Sequence, residues 1–242
     1  MYTLAIANQK GGVGKTTTAA AIAQGLTAAG YKVLSIDADP QRNLSDMMQA
    51  ETGKSLCDVI QGAPAETAIQ TTAGGDLIPT IKALASPNLQ ITPSTLQKIL
   101  TPLQRKYDVC IIDCPPSLGP LTVSAIMAAD GIIVPTIADK FSLSGLQEVY
   151  TSAKAIKPQL ALVGVIVTQF DNTNIDKAVL EALQQQAKIY HSEVILPAIR
   201  RTTNARKWQY TGEIYKGRST AGKDYAEVVN QIPKLIKLKK RR

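Results

Sequence analysis

Short, uninterrupted apolar runs alternate with longer amphipathic stretches along the chain. Thr3–Ala7, Lys32–Ile36, Asp108–Ile112, Gly131–Pro135, Leu162–Thr168 and Val194–Leu196 read as strands. Most are continuous in Val, Ile and Leu rather than alternating with polar residues, as expected of parallel strands covered on both faces. Between them the spacing predicts helices over Thr16–Ala29, Ser94–Arg105, Leu118–Ala128, Ser144–Ile156, Ile175–Ala187 and Lys223–Gln231. Gly30 falls just past the first of these, where a C-cap glycine belongs. The alternation predicts an α/β fold: a mostly parallel twisted sheet with helices on both faces. Residues 50–93, rich in Ala, Thr, Pro and Gly, show no legible period. With no internal repeat and no interdomain linker, residues 1–242 read as one domain.

Charge adds a direction. The 242 residues carry 27 Lys+Arg against 19 Asp+Glu, a formal net charge of +8. Residues 1–199 hold 14 basic and 16 acidic side chains, whereas residues 200–242 hold 13 basic and 3 acidic. The whole excess therefore lies in the last 43 residues. A near-neutral body with one basic end suggests a polyanionic partner, nucleic acid or an anionic membrane surface; a solvated tail that aids solubility is the plainer alternative. At 45% hydrophobic and 19% charged the chain is not a disordered polymer. No run reaches the roughly 18 apolar residues of a membrane span. The chain opens on a strand-like segment, so no signal peptide is expected. Cys57, Cys110 and Cys114 form neither a disulfide framework nor a zinc spacing. A reducing cytoplasm is the expected compartment.

Phosphate chemistry is written after the first strand: Gln9-Lys10-Gly11-Gly12-Val13-Gly14-Lys15-Thr16-Thr17-Thr18. Phosphate binding needs backbone N–H groups turned inward, a helix N-terminus, a lysine and a hydroxyl. All are present between a strand and a helix, the context that gives such a loop its meaning. Gly11, Gly12, Val13, Gly14, Lys15, Thr16 and Thr17 are thus expected to bind a nucleotide, with Lys15 on the β- and γ-phosphates and the Thr16 hydroxyl on Mg²⁺. Two further strands deliver carboxylates to their C-terminal ends, where open α/β sheets place ligands. One ends Ser35-Ile36-Asp37-Ala38-Asp39-Pro40-Gln41, the other Ile111-Ile112-Asp113-Cys114-Pro115-Pro116-Ser117. Cys110 and Cys114 flank Asp113 but read as packing residues, and His191 as a surface residue. Trp208, inside the basic region, could stack on a base; a structural role is the favoured reading.

The K-G-G-x-G-K-T-T loop resembles the deviant Walker A motif of the ParA/MinD family of ATPases. Asp39-Pro40-Gln41-Arg42-Asn43-Leu44-Ser45 is similar to the ParA switch, Asp113-Cys114-Pro115-Pro116-Ser117-Leu118-Gly119 to its Walker B segment, and Ser144-Gly145-Leu146 to a ParA helix start. The likeness runs over nearly the whole chain. It implies that Lys10 reaches across a sandwich homodimer to the partner's ATP and that Asp113 holds Mg²⁺. Asp39 would orient the attacking water while Asp37 supports the metal shell. Val165–Asp171 looks like the strand and loop leading to the adenine pocket. Leu196-Pro197-Ala198-Ile199-Arg200 is similar to the stretch that closes over the base, which makes Pro197 a nucleotide contact. By position, Arg200 and Arg218 match the family's contacts to non-specific DNA; Arg201, Arg206, Lys207 and Lys223 are neighbours by composition only.

The implied protein is a small, Soj-like, Mg²⁺-dependent partition ATPase, without an N-terminal helix-turn-helix domain. Its ATP-bound dimer binds non-specific DNA, associates with the nucleoid, and is released on hydrolysis stimulated by a ParB-like partner. A MinD-like membrane-positioning ATPase is the competing reading, as is a relative that positions another cargo. Ile232, Leu235 and Ile236 are spaced i, i+3, i+4 among lysines, the outline of a short basic amphipathic helix. Against a membrane stand its brevity, the absence of an aromatic anchor, and Pro233, tolerated only in a first turn.

Overall fold

The computed structural model describes residues 1–213 and 219–240. After β1 (Tyr2–Ile6) come α1 (Lys15–Ala28), β2 (Val33–Asp37), α2 (Asn43–Met47) and α3 (Leu56–Ile60). A hairpin of β3 (Gln70–Thr72) and β4 (Gly75–Ile78) precedes α4 (Thr95–Leu100), β5 (Val109–Asp113), α5 (Pro120–Ala128) and β6 (Gly131–Ile137). Next are α6 (Ser142–Ile156), β7 (Ala161–Thr168), α7 (Asn174–Ile189), α8 (Asn204–Thr211) and α9 (Thr220–Leu235). The strands form one sheet in the order β3-β4-β2-β5-β1-β6-β7. Every pairing is parallel except that of β3 with β4.

Two apolar cores cover the two faces, as the continuous strand pattern requires. On one face Leu4, Ile6, Val109, Ile111 and Ile133 meet α1, Leu44 and Met47 of α2, Trp208 of α8 and Tyr225, Val228 and Ile232 of α9. On the other, Ala5, Ile36, Ile112, Val134 and Val167 meet side chains of α3 through α7. Ala19, Ala20, Ala21 and Ala23 are fully buried; their small side chains let α1 lie close on the sheet. The helix after β1 and the helix after β5 thus leave to opposite faces, which opens a crevice above the central strands.

Several boundaries differ from the sequence pattern. Val194–Leu196 is not a strand: Val194 makes only an isolated bridge to Val165, and the segment runs beside β7 as irregular backbone. The expected helix at 94–105 stops at Leu100 and tightens into a 3₁₀ turn over Thr101–Leu103, where Pro102 lacks the N–H that continues a helix. At the other end α9 carries Pro233 in its last turn, further from the start than expected. Burial of Ile232 and Ile236 on the core holds that turn in place despite the lost donor.

Candidate nucleotide and polyanion sites

The loop after β1 takes its shape from its glycines. Gly12 and Gly14 have φ of 74° and 82°, a left-handed backbone that only glycine adopts freely. Gly14 is the N-cap of α1, so the first amides of α1 face the loop unpaired. Val13 is fully buried beneath it, and its carbonyl accepts from the Thr168 hydroxyl at 2.9 Å. Gln169, itself left-handed, donates Nε2 to the Gly12 carbonyl at 2.6 Å. The end of β7 therefore braces the loop from the side. Above Gly11 and Gly12 an added Cβ would meet nothing within 4 Å, so the cradle is open.

Asp113 and Asp37 stand opposite each other in register on β5 and β2, both with no exposed surface. Asp37 accepts from the amide and hydroxyl of Ser45 at 2.8 and 2.7 Å and from the amide of Asp39 at 3.2 Å. Burial still pushes its carboxyl up to about 6. Neither oxygen of Asp113 meets a donor at bonding distance. Burial, and then the neighbouring Asp37, raise its pKa well above the carboxylate range, while the nearby Thr16 hydroxyl opposes the rise. Lys15 is also buried, which lowers its pKa against the opposing pull of Asp113 and Asp39; its Nζ donates to the Lys10 carbonyl at 3.1 Å. Two buried acids with raised pKa values beside an open cradle are the chemistry of a cation-assisted phosphate site. Among the described residues no cluster of three or more His, Cys, Asp or Glu could hold a metal alone, so substrate, hydroxyl or solvent oxygens would complete any such shell.

The structure thus brings together Gly11–Thr17, Asp37, Asp39 and Asp113. Lys10 folds back within its own chain: its Nζ pairs with Asp139 after β6 and lies 5.8 Å from the centre of the Phe141 ring. Donation from Lys10, Ser142 and the Phe141 amide outweighs burial and holds the Asp139 carboxyl below its usual range. Pro197 is half-buried in the segment beside β7, two residues before Ile199, whose carbonyl accepts from the Phe170 amide. Asp139, Gln169 and Arg42 were not singled out in the sequence. Gln169 had a signal as part of the loop expected near the base, and Arg42 as part of the switch-like segment; Asp139 had none.

Arg200 and Arg201 are exposed but paired. The Arg200 guanidinium forks onto Asp224 of α9, with Nε at 2.9 Å and Nη2 at 2.5 Å. Arg201 Nε lies 2.8 and 2.9 Å from the two oxygens of Asp171. Lys207 and Lys223 are exposed. Arg218 lies outside the described residues. Trp208 is buried edge-on against Tyr225, a structural position; the three cysteines are buried and free. In the tail, Ile232 and Ile236 are buried and Leu235 and Leu238 pack on the same core. Lys234, Lys237, Lys239 and Lys240 are exposed, and Lys240 sits 5.1 Å over the Tyr31 ring. No described helix is long and apolar enough to cross a membrane.

A lysine-bearing glycine loop opening a helix, with buried acids at the ends of two parallel strands beside it, defines a P-loop nucleoside-triphosphate hydrolase. A family model described as AAA domain matches residues 1–163. The chromosome-partitioning ATPase Soj of Thermus thermophilus is 34% identical over 185 residues, 74% of each chain. The chromosome partitioning protein ParA of Caulobacter vibrioides is 38% identical over 188 residues, 71% of this chain and 70% of that one. Among solved structures, cobyrinic acid a,c-diamide synthase from Mycobacterium smegmatis, with bound ADP and magnesium, superposes with a TM-score of 0.82 at 30% identity, covering 100% and 99% of the two chains. The chain belongs to this AAA domain family and, within it, to the Soj/ParA partition ATPases.

Proposed function

We propose that the chain drives DNA partitioning by an ATP-dependent switch between monomer and dimer. ATP places its phosphates over Gly11–Thr17, with Lys15 on the β- and γ-phosphates and Pro197 against the base. Thr16 and Asp113 are the residues to hold Mg²⁺, with Asp37 behind them. An ion held there would neutralise charge developing on the phosphates. Support comes from the open space above Gly11 and Gly12 and from two Asp113 oxygens with no donor of their own. Asp39 orients the attacking water; its carboxylate already accepts from the Gln41 amide at 2.9 Å and fixes the turn that carries it.

Dimerisation asks Lys10 to leave Asp139 and reach the partner's phosphates. Leu118 and Phe141 are 43% and 57% exposed, beside the loops that bear Asp113 and Asp139. A second copy docked over the phosphates would cover them. The dimer then grips non-specific DNA through Arg200, Arg201, Arg218, Lys223 and the tail lysines. Pairing doubles the phosphate contacts, and the electrostatic contribution grows with each. Hydrolysis, raised by a ParB-like centromere-bound partner, returns monomers and frees the protein from the nucleoid.

One observation favours DNA over a membrane. The apolar side chains of 232–238, which an interfacial helix would insert into lipid, are spent on the core, while the lysines face out. Co-sedimentation with random-sequence DNA and with anionic vesicles, each in ADP, ATP and a non-hydrolysable analogue across a salt series, tests this. ATP-dependent DNA binding that weakens steeply with salt is expected; ATP-dependent vesicle binding without DNA binding overturns it. Lys10→Ala should abolish the ATP-induced dimer in size-exclusion chromatography, and an unchanged dimer refutes the role across the interface.

A further inference from the structure

Arg42 stands directly after the turn that carries Asp39, at the N-cap of α2, with φ of 65°. This left-handed backbone is one that L-residues adopt at a cost and glycine adopts freely. The side chain is 23% exposed and uses each guanidinium nitrogen. Nε donates to Asp46 at 2.8 Å, Nη1 to the Thr80 carbonyl at 2.9 Å, and Nη2 to the Ala50 carbonyl at 3.1 Å. These acceptors come from α2, from the chain beyond β4, and from the chain leaving α2. The Arg42 amide donates to the Asp39 carbonyl at 2.9 Å. From the far side, the Thr80 amide donates to Ser45 Oγ at 3.0 Å, and that hydroxyl donates to Asp37 at 2.7 Å. A closed ring of bonds, running from Asp37 through Ser45, Thr80 and Arg42 to Asp39, therefore holds the acidic turn against the sheet.

We propose that Arg42 is a positioning residue for hydrolysis: its guanidinium fork fixes the turn that presents Asp39 to the phosphates. The inference rests on the water-orienting role of Asp39 given above. Arg42 touches neither the phosphate loop nor Lys15, so its loss should leave nucleotide affinity alone. Glycine at this position keeps the left-handed turn and removes only the fork, which separates backbone geometry from side-chain clamping. Lysine keeps the charge and can reach one carbonyl but cannot fork.

The test is steady-state ATP hydrolysis by the full chain in Mg²⁺, with thermal melting alongside, for Arg42→Gly, Arg42→Lys and Asp39→Asn. A reacting group displaced by about 1 Å can cost on the order of a hundredfold. Arg42→Gly should therefore lower kcat about ten- to a hundredfold with KM for ATP within about twofold. Arg42→Lys should fall between it and the parent chain. Loss of turnover in Asp39→Asn with parental kcat in a folded Arg42→Gly or Arg42→Lys overturns the positioning role alone. So does a fall in kcat that comes with an equal loss of ATP affinity, because that marks general damage to the site. Full turnover in Asp39→Asn removes the role of Asp39 and the proposal with it. Should Arg42→Gly fail to fold, the ordering and the constant KM are read from Arg42→Lys.

Discussion

Replacing Asp113 with Asn should stabilise the nucleotide-free protein while abolishing its response to Mg²⁺ and ATP. Asp113 is fully buried, sits in register with Asp37 and finds no donor at bonding distance. Asp37 has three donors and still rises to about 6 from an ordinary 3.8, a destabilisation of about 3 kcal/mol. Asp113 is raised in the same direction, by burial first and then by Asp37, against the opposing Thr16 hydroxyl. The amide is isosteric with the protonated acid and carries no charge to bury. For a chain of this length each kcal/mol moves Tm by roughly 2–4 °C, so relief on the order of 1 kcal/mol or more should raise the Tm of Asp113→Asn by a few degrees at pH 7. The sign with pH follows from a folded-state pKa above the unfolded one. The native state is favoured at low pH, and that stability is lost as pH rises from the unfolded carboxylate value through the folded one. The gap between variant and parent should therefore close near pH 4 and widen toward neutrality, with Asp37, relieved of its charged neighbour in the variant, adding to it. Thermal melting across pH 4–8, with and without ATP and Mg²⁺, measures this. An equal Tm at pH 7, or a gap independent of pH, refutes the reasoning.

Three other perturbations follow from single contacts. Gly212 closes α8 with φ of 65°, and a Cβ there would lie 2.8 Å from the Met47 carbonyl of α2; Gly212→Ala should cost about 1–3 kcal/mol in denaturant unfolding, more than a surface Gly→Ala elsewhere. Tyr225 shares a buried hydrogen bond of 3.1 Å with the Thr18 hydroxyl, so Tyr225→Phe should lower stability by about 1 kcal/mol, and an unchanged midpoint would show that bond to be idle. Arg200→Ala strips the fork from buried Asp224 and should lower Tm, with Asp224→Asn in the same chain restoring part of the loss; parental melting of Arg200→Ala would mean that the pair contributes nothing.

The glycine loop and its flanking acids were legible because their pattern is local. Gly11–Thr17 must form one turn, and each acid follows directly on an apolar strand, so sequence order alone sets them at the same end of the sheet. The partners of those residues were not legible. Asp139 is 129 residues from Lys10 and Thr80 is 38 from Arg42; nothing in either segment marks the pairing, which exists only once the sheet is built. Residues 50–93 hid β3 and β4 for a different reason. Both strands are short, and the antiparallel hairpin lies at the sheet's edge, where one-sided burial leaves no long apolar run. The apolar trio of the tail carried a true helical period, but periodicity states which residues share a face, not what covers it. Core and membrane leave the same trace in the sequence.

What covers that face also decides how the basic end is carried. α9 packs along α1 through Tyr225, Val228, Val229 and Ile232, and Tyr225 reaches Thr18, in the first turn behind Gly14 and Lys15. Arg200 is tied to α9 at Asp224, near its start, and Lys240 rests over Tyr31, beyond the far end of α1. Arg200, Lys223, Lys234 and Lys240 are therefore laid along the same helix pair whose opening turn would hold the phosphates. A second copy docked across the phosphate loop would fix the spacing of two such basic faces, since α1 is buried along the core. Affinity for a polyanion would then depend on whether the two faces are joined, which is the physical requirement for a nucleotide to control DNA binding from a distance.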